Sequence, residues 1–184
     1  MHFSVLLILS TLLAGVVSMP TSGTNEVSST SAFEVEVMEL PEGFDMKHPA
    51  LDIQHQVELR KSNPKAALPQ FPKGLPIKKV QLPASAAAAP AEYHCASKQQ
   101  AFVWNAQMVA NALKSLSDQW CCQINFDKAC TPMYAVGNAA AAICSPPKRC
   151  VRCIYVGTTL LKLISLCKQG NQVSGQVVWI GSDI

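Results

Sequence analysis

Apolar positions follow three different regimes along the chain. Residues 4–17, SVLLILSTLLAGVV, form an uncharged, mainly apolar run. It is shorter than the roughly 20 residues a membrane-spanning helix needs. Val16 and Ser18 suit the −3 and −1 positions of a signal-peptidase site, with cleavage before Met19. Residues 1–18 therefore read as a signal peptide; the competing reading is a membrane anchor. No later stretch is apolar for long enough to span a bilayer, so no transmembrane segment is expected in the mature chain.

From 19 to 91 the apolar residues show little period, and nine of the twelve prolines lie at or before Pro90. Proline removes backbone donors and breaks helices and ladders. With little to bury against the entropy of ordering, residues 19–91 read as disordered, ending in the alanine- and proline-rich stretch 83–91. Only a short helix near 50–60 is expected. The dibasic pairs Arg60-Lys61 and Lys78-Lys79, in such a segment, suggest a pro-segment cut during export; the alternative is a permanent tail.

Beyond residue 92 the periodicities become clear. Phe102, Ala106, Val109, Leu113 and Leu116 recur at helical spacing behind a capping-box pattern, Ser97 to Gln100, and predict a helix over 98–117. Cys153, Val156, Leu160, Leu163, Ile164 and Cys167 share one face of a second helix over 151–168. Residues 172–180 alternate as a strand does. Residues 134–144 are ambiguous, because four alanines favour helix and Gly137-Asn138 would interrupt one. The resulting order is that of an α+β domain over 92–184.

Eight cysteines change the picture most, and all lie at or after Cys95: Cys95, Cys121, Cys122, Cys130, Cys144, Cys150, Cys153 and Cys167. Behind a signal peptide, an even count implies a disulfide framework with no free thiol, of a pairing the sequence leaves open. Cys121 and Cys122 are expected to pair elsewhere, since adjacent cysteines bridge each other only with strain. Both predicted helices are then stapled near their ends.

Charge adds less. The net charge of +3 is too small to argue for nucleic-acid binding. Within 92–184, eight Lys and Arg stand against four acids. Lys148, Arg149 and Arg152 crowd five positions beside two cysteines, at the expected entry to the second helix. They are the candidate binding surface; the plainer reading is a solvated loop.

Catalytic and metal chemistry have little to stand on. The sequence carries no His-Glu-x-x-His, no phosphate-cradling glycine loop and no Gly-x-Ser-x-Gly. His94 adjoins Cys95, but a Cys–His nucleophile needs a free thiolate. Cys150-x-x-Cys153 has zinc spacing, with Cys121-Cys122 or His94 as further donors, and an oxidising route of export argues against it. Glu92, Asp118, Asp127 and Asp183 are the acids left for glycoside hydrolysis, with nothing to pick out a pair. Neither enzyme activity, nor a cofactor, nor a metal site is expected.

One stretch, MYAVGNAAAAICSPPKRCVRCIYVGTTLLKLISLCKQGNQVSGQVVWI, resembles a known family. Gly137-Asn138, Ala140, Ala142 and Cys144, then Cys150, Cys153 and Cys167, then Gly175, are similar to the pattern of small secreted fungal proteins built like the smut-virus killer toxin. The resemblance implies a strand at 134–144. It also implies a small disulfide-stapled two-layer α/β sandwich, with helices on an antiparallel sheet, following the disordered amino-terminal segment. In function it implies a secreted, extracellular, non-enzymatic effector or toxin. Such a protein would bind a host or competitor cell-surface protein, a channel or a wall polymer. The alternative is a structural or surface-active secreted protein, hydrophobin-like or cell-wall-associated. Hydrophobins carry two adjacent-cysteine doublets, and this chain has one.

Overall fold

The computed structural model describes residues 33–82, 91–96, 100–127 and 130–179. The expected signal peptide and the Ser97 half of the expected capping box lie outside these residues. The chain forms β1 (Phe33–Glu39), a 3-10 turn (Pro49–Leu51), α1 (Ile53–Ser62), β2 (Ile77–Leu82), β3 (Ala91–Cys95), β4 (Ala101–Phe102) and α2 (Val103–Ser115). There follow β5 (Trp120–Cys122), β6 (Cys130–Val136), β7 (Ala139–Cys144), β8 (Arg149–Arg152), α3 (Cys153–Cys167), β9 (Gln172–Val173) and β10 (Gly175–Trp179). Among the described residues, three helices and antiparallel strands make this an α+β fold, as expected. Its β-layer is divided into one four-stranded sheet, β2-β1-β8-β5, and three two-stranded ribbons, β10-β3, β4-β9 and β6-β7.

The expectation of disorder over 19–91 is corrected for residues 33–82. Strand β1 lies inside the main sheet, antiparallel to β2 on one side and to β8 on the other. Its sequence, FEVEVME, alternates in the strand period. Val35 and Val37 belong to one apolar cluster and Met38 to another, so the strand contributes to the core on both faces. Helix α1 adds Ile53 and Val57 to the first cluster, under a cap in which the Asp52 carboxylate accepts from His55 N–H at 2.9 Å. Proline is common here because it occupies the turns between these elements, where no ladder donor is needed. The dibasic pairs therefore sit in regular structure: Arg60-Lys61 in the last turn of α1 and Lys78-Lys79 in β2.

The main sheet separates two cores. On one side Val35, Cys121 and Val151 pack with Val57, Leu68, Val109, Leu113 and Val156. On the other, Met38, Trp120, Cys122 and Cys150 pack with Leu40 and Leu51, bordered by Phe44 and Phe71. The adjacent cysteines follow from this geometry. Successive residues of a strand point to opposite faces, so Cys121 and Cys122 enter different cores. Cys121 bonds Cys153 and Cys122 bonds Cys150, its direct partner across the β5–β8 ladder. Cys95–Cys167 ties β3 to the end of α3, and Cys130–Cys144 closes the open end of the β6-β7 hairpin. All eight cysteines are thus bridged, and none of the four bridges reaches residues 33–82.

Helix α2 begins later than its sequence suggests. Gln100 is not helical and the N-cap is Phe102, which has no capping side chain. The cap comes from the β6-β7 turn instead. Asn138 Oδ1 accepts from Phe102 N–H at 3.1 Å and from Asn105 Nδ2 at 2.9 Å. The turn is tight because Gly137 takes φ +56°, and a Cβ there would collide with the Asn105 amide. Phe102, expected on the core face, is consequently exposed. The ambiguous alanines form β7: Ala139 and Ala141 are buried on the first core while Ala140 and Ala142 face outward. Helix α3 keeps its expected face, with Cys153, Val156, Leu163, Ile164 and Cys167 buried.

Candidate functional site

The three basic residues do not form a loop and a first helical turn. Arg149 to Arg152 are the strand β8, and Lys148 enters it with φ +69°. Neighbours in a strand alternate faces, so a strand disperses charges that a loop would gather. The Lys148 backbone is fixed on both sides: its N–H donates to Gln123 O at 2.7 Å, and its carbonyl accepts from Leu40 N–H at 2.9 Å.

Two of the three charges are answered from within the chain. Lys148 Nζ lies 2.8 Å from Glu42 Oε1, and the lysine is 19% exposed where the glutamate is 99% exposed. The hydrogen bond and charge of Lys148 hold the Glu42 carboxyl below its ordinary range. Arg152 Nε donates to Glu36 Oε2 at 2.7 Å and its Nη1 to the Asp118 carbonyl at 2.8 Å, while its guanidinium lies 4.0 Å from the Trp120 ring centre. This half-buried cluster of Glu36, Arg152 and Trp120 runs across three strands, β1, β8 and β5. It stabilises the sheet by charge-assisted hydrogen bonding and by cation–π contact. The acids involved, Glu36 and Glu42, come from the segment expected to be disordered, so a sequence reading confined to 92–184 misses them. The available signal was the acidic alternation of β1 itself.

Arg149 is different. Among the described residues no hydrogen bond or ion pair reaches its guanidinium, although Glu39 stands opposite it in the β1–β8 register. It lines an open cleft of about 480 Å3 bordered by β7, β10 and α3. Val156, Leu160 and Leu163 of α3 and Val177 of β10 make much of its surface apolar.

Other candidates fall into place as structure. The sulfurs of Cys150 and Cys153 are spent in separate disulfides, so the pair is not a zinc clamp. Cys95 is bonded to Cys167, which leaves no thiolate beside His94. Asp118 is exposed and lies 3.9 Å from Arg60, and Asp127 is exposed. Asp183 lies outside the described residues. Among the described residues no three His, Cys, Asp or Glu side chains converge as metal ligands do, and no helix is long and apolar enough to cross a membrane.

Seven large apolar side chains are exposed among the described residues; Ile77, Phe126, Leu166 and Val178 are scattered, and the other three lie close together in sequence. Phe102, Trp104 and Met108 are 53%, 70% and 38% exposed at the start of α2. Four disulfides in a chain of this size are typical of extracellular proteins. No family model matches the chain, and no curated protein or solved structure is found similar to it.

Proposed function

We propose that this is a secreted, non-enzymatic binding protein of the effector or toxin-like kind, acting on a host or competitor cell-surface protein, channel or wall polymer. The observation that supports this reading is the placement of the bridges. Three of the four end on β8 or α3, at Cys150, Cys153 and Cys167. They hold rigid the strand that carries the basic residues and one side of the cleft. A surface fixed in this way loses little freedom on binding, which is how a small domain reaches useful affinity. Within the basic cluster, Arg149 is the contact residue, because Lys148 and Arg152 are engaged inside the fold. The test is binding of the secreted protein to fungal and plant cell surfaces, with growth inhibition or plant response as readout. Arg149→Glu, shown to be folded, is expected to weaken binding by at least about tenfold. Unchanged binding by that variant removes Arg149 from the interface, and absence of any surface binding removes the function.

A structural or surface-active role is the second reading, supported by the exposed Phe102, Trp104 and Met108. It predicts that the protein lowers surface tension and that Trp104→Ser abolishes this. The amino terminus of the secreted form, read by intact mass, tests both cleavage before Met19 and removal of a pro-segment.

A further inference from the structure

We propose that the cleft between β7 and β10 is a strand-acceptor site for an extended, acidic segment of a partner protein. The proposal rests on the binding-protein reading above and names the class of partner. Strand β7 pairs only with β6, and β10 only with β3, among the described residues. Each therefore has one edge of backbone N–H and C=O groups without a ladder partner. Residues 140–144 of β7 and 175–178 of β10 line the same cleft without a gap. A strand presenting a face contributes every second residue, so unbroken runs mean that the cleft meets the strand edges.

Neither edge is defended. Natural proteins protect exposed edges with charge, proline or bulges. β7 reads AAAAIC and β10 reads GQVVW, with no charged residue and no proline in either. Ala140 and Ala142 present short side chains, which leave the β7 backbone open to approach. The α3 residues Leu160 and Leu163 supply an apolar contact for alternate side chains of an incoming strand. Adjacent strands lie about 4.8 Å apart and rise about 3.3 Å per residue, so edges of this length suit a segment of about five or six residues.

Charge selects the occupant. Among the described residues no Asp or Glu lines the cleft, and Arg149 brings it a guanidinium that no described acid pairs. An acidic side chain on the incoming segment would find there the planar, multidentate donor that arginine offers carboxylates. Main-chain pairing supplies affinity and the acid fixes register.

The experiment titrates the whole secreted chain with a capped six-residue peptide of alternating valine and threonine ending in aspartate, followed by NMR and amide exchange. Saturable binding with slowed exchange at 140–144 and 175–178 is expected. N-methylation of the two central peptide residues, which deletes strand donors, should weaken binding by at least about tenfold. A lysine in place of the aspartate should do the same by at least about tenfold, and so should Arg149→Gln in the protein. The charge-reversed peptide needs no change to the protein, so a folding defect in the variant cannot mask the result. No saturable binding, exchange protection elsewhere, or indifference to N-methylation overturns the proposal. Cell-surface binding without peptide occupancy refutes the cleft and leaves the binding function standing. Peptide occupancy without cell-surface binding does the reverse.

Discussion

At Gly157 helix α3 lies close against the backbone of α2, and replacing the glycine with alanine tests the packing of the core directly. A Cβ at Gly157 would lie 2.5 Å from Lys114 N, 2.6 Å from the Ala110 carbonyl and 2.8 Å from Lys114 Cα. All three are backbone atoms of α2, so no side chain can swing aside. The helices must part, and α3 is tethered at both ends, by Cys153 to Cys121 and by Cys167 to Cys95. Overpacking of this kind costs about 3 kcal/mol, the upper part of its usual range, because the tethers hinder relaxation. Gly→Ala within a helix returns about 1 kcal/mol of propensity. The net expectation for Gly157→Ala is a loss of about 2 kcal/mol. For a chain of this size that lowers Tm by about 6 °C. Urea unfolding with the disulfides intact, followed by far-UV circular dichroism, should show a lower midpoint at unchanged slope. Thr158→Ala, on the exposed neighbour, is the control and should be neutral or slightly stabilising. Gly157→Ala as stable as the parent would refute the close approach of the two helices.

Other positions test other parts of the fold. Val35→Ala and Val57→Ala, both in the first core, should each cost about 2 kcal/mol in urea unfolding, whereas a disordered amino-terminal segment would give no change. Asn138→Ala should cost about 1 kcal/mol and speed amide exchange in the first turn of α2, since Asn138 supplies that helix with its cap. The Cys95–Cys167 bridge spans 72 residues and Cys130–Cys144 spans 14. Replacing the first pair by alanine should cost about 1.5 kcal/mol more than replacing the second, if unfolded-chain entropy dominates; the reverse order would rule that out. By NMR titration Glu42 should ionise below an ordinary glutamate, and Lys148→Met should return it upward. Because the folded value is the lower one, the pair's stabilising effect is complete above the unfolded pKa and disappears as pH falls through the folded one.

Much of the carboxy-terminal half was legible because its signals are local. The apolar face of α3 and the β-rich end at 172–179 are repeats that any window along the chain can detect. The bridging of all eight cysteines follows from counting, and the separate fates of Cys121 and Cys122 from the strain of bridging adjacent residues. What failed depended on distant partners. The α2 cap sits 36 positions away at Asn138, and no local motif reports it. The alanines of 139–144 favour helix locally, yet pairing with β6 and packing against α2 make them a strand. Strand β1 is the instructive case. Its valine–glutamate alternation is a plain strand pattern, but frequent prolines on either side lead to the segment being discounted as a whole. The basic cluster was found, but the acids that engage Lys148 and Arg152, Glu42 and Glu36, lie in that discounted segment.

The insertion of β1 between β2 and β8 also constrains how the chain reaches its native state. Arg152 and Glu36, joined across the sheet, are 116 positions apart. Ribosomes deliver the amino-terminal elements first, at about 5–20 residues per second, so β1 is made seconds before its inner neighbour exists. Until then β1, α1 and β2 can hold only one another, with Val35 and Val57 lacking the α2 and β8 surfaces that finally cover them. Topologies dominated by such distant pairing fold slowly, because loop closure precedes the contacts that reward it. A chain at that stage exposes an unpaired strand edge and uncovered valines, features that favour aggregation. Glu34, Glu36 and Glu39 space negative charge along that strand, and charge of this kind opposes pairing between unfinished chains. The acidity of β1 thus acts twice, first as a solubiliser of the unfinished chain and later as the counter-charge of the finished sheet.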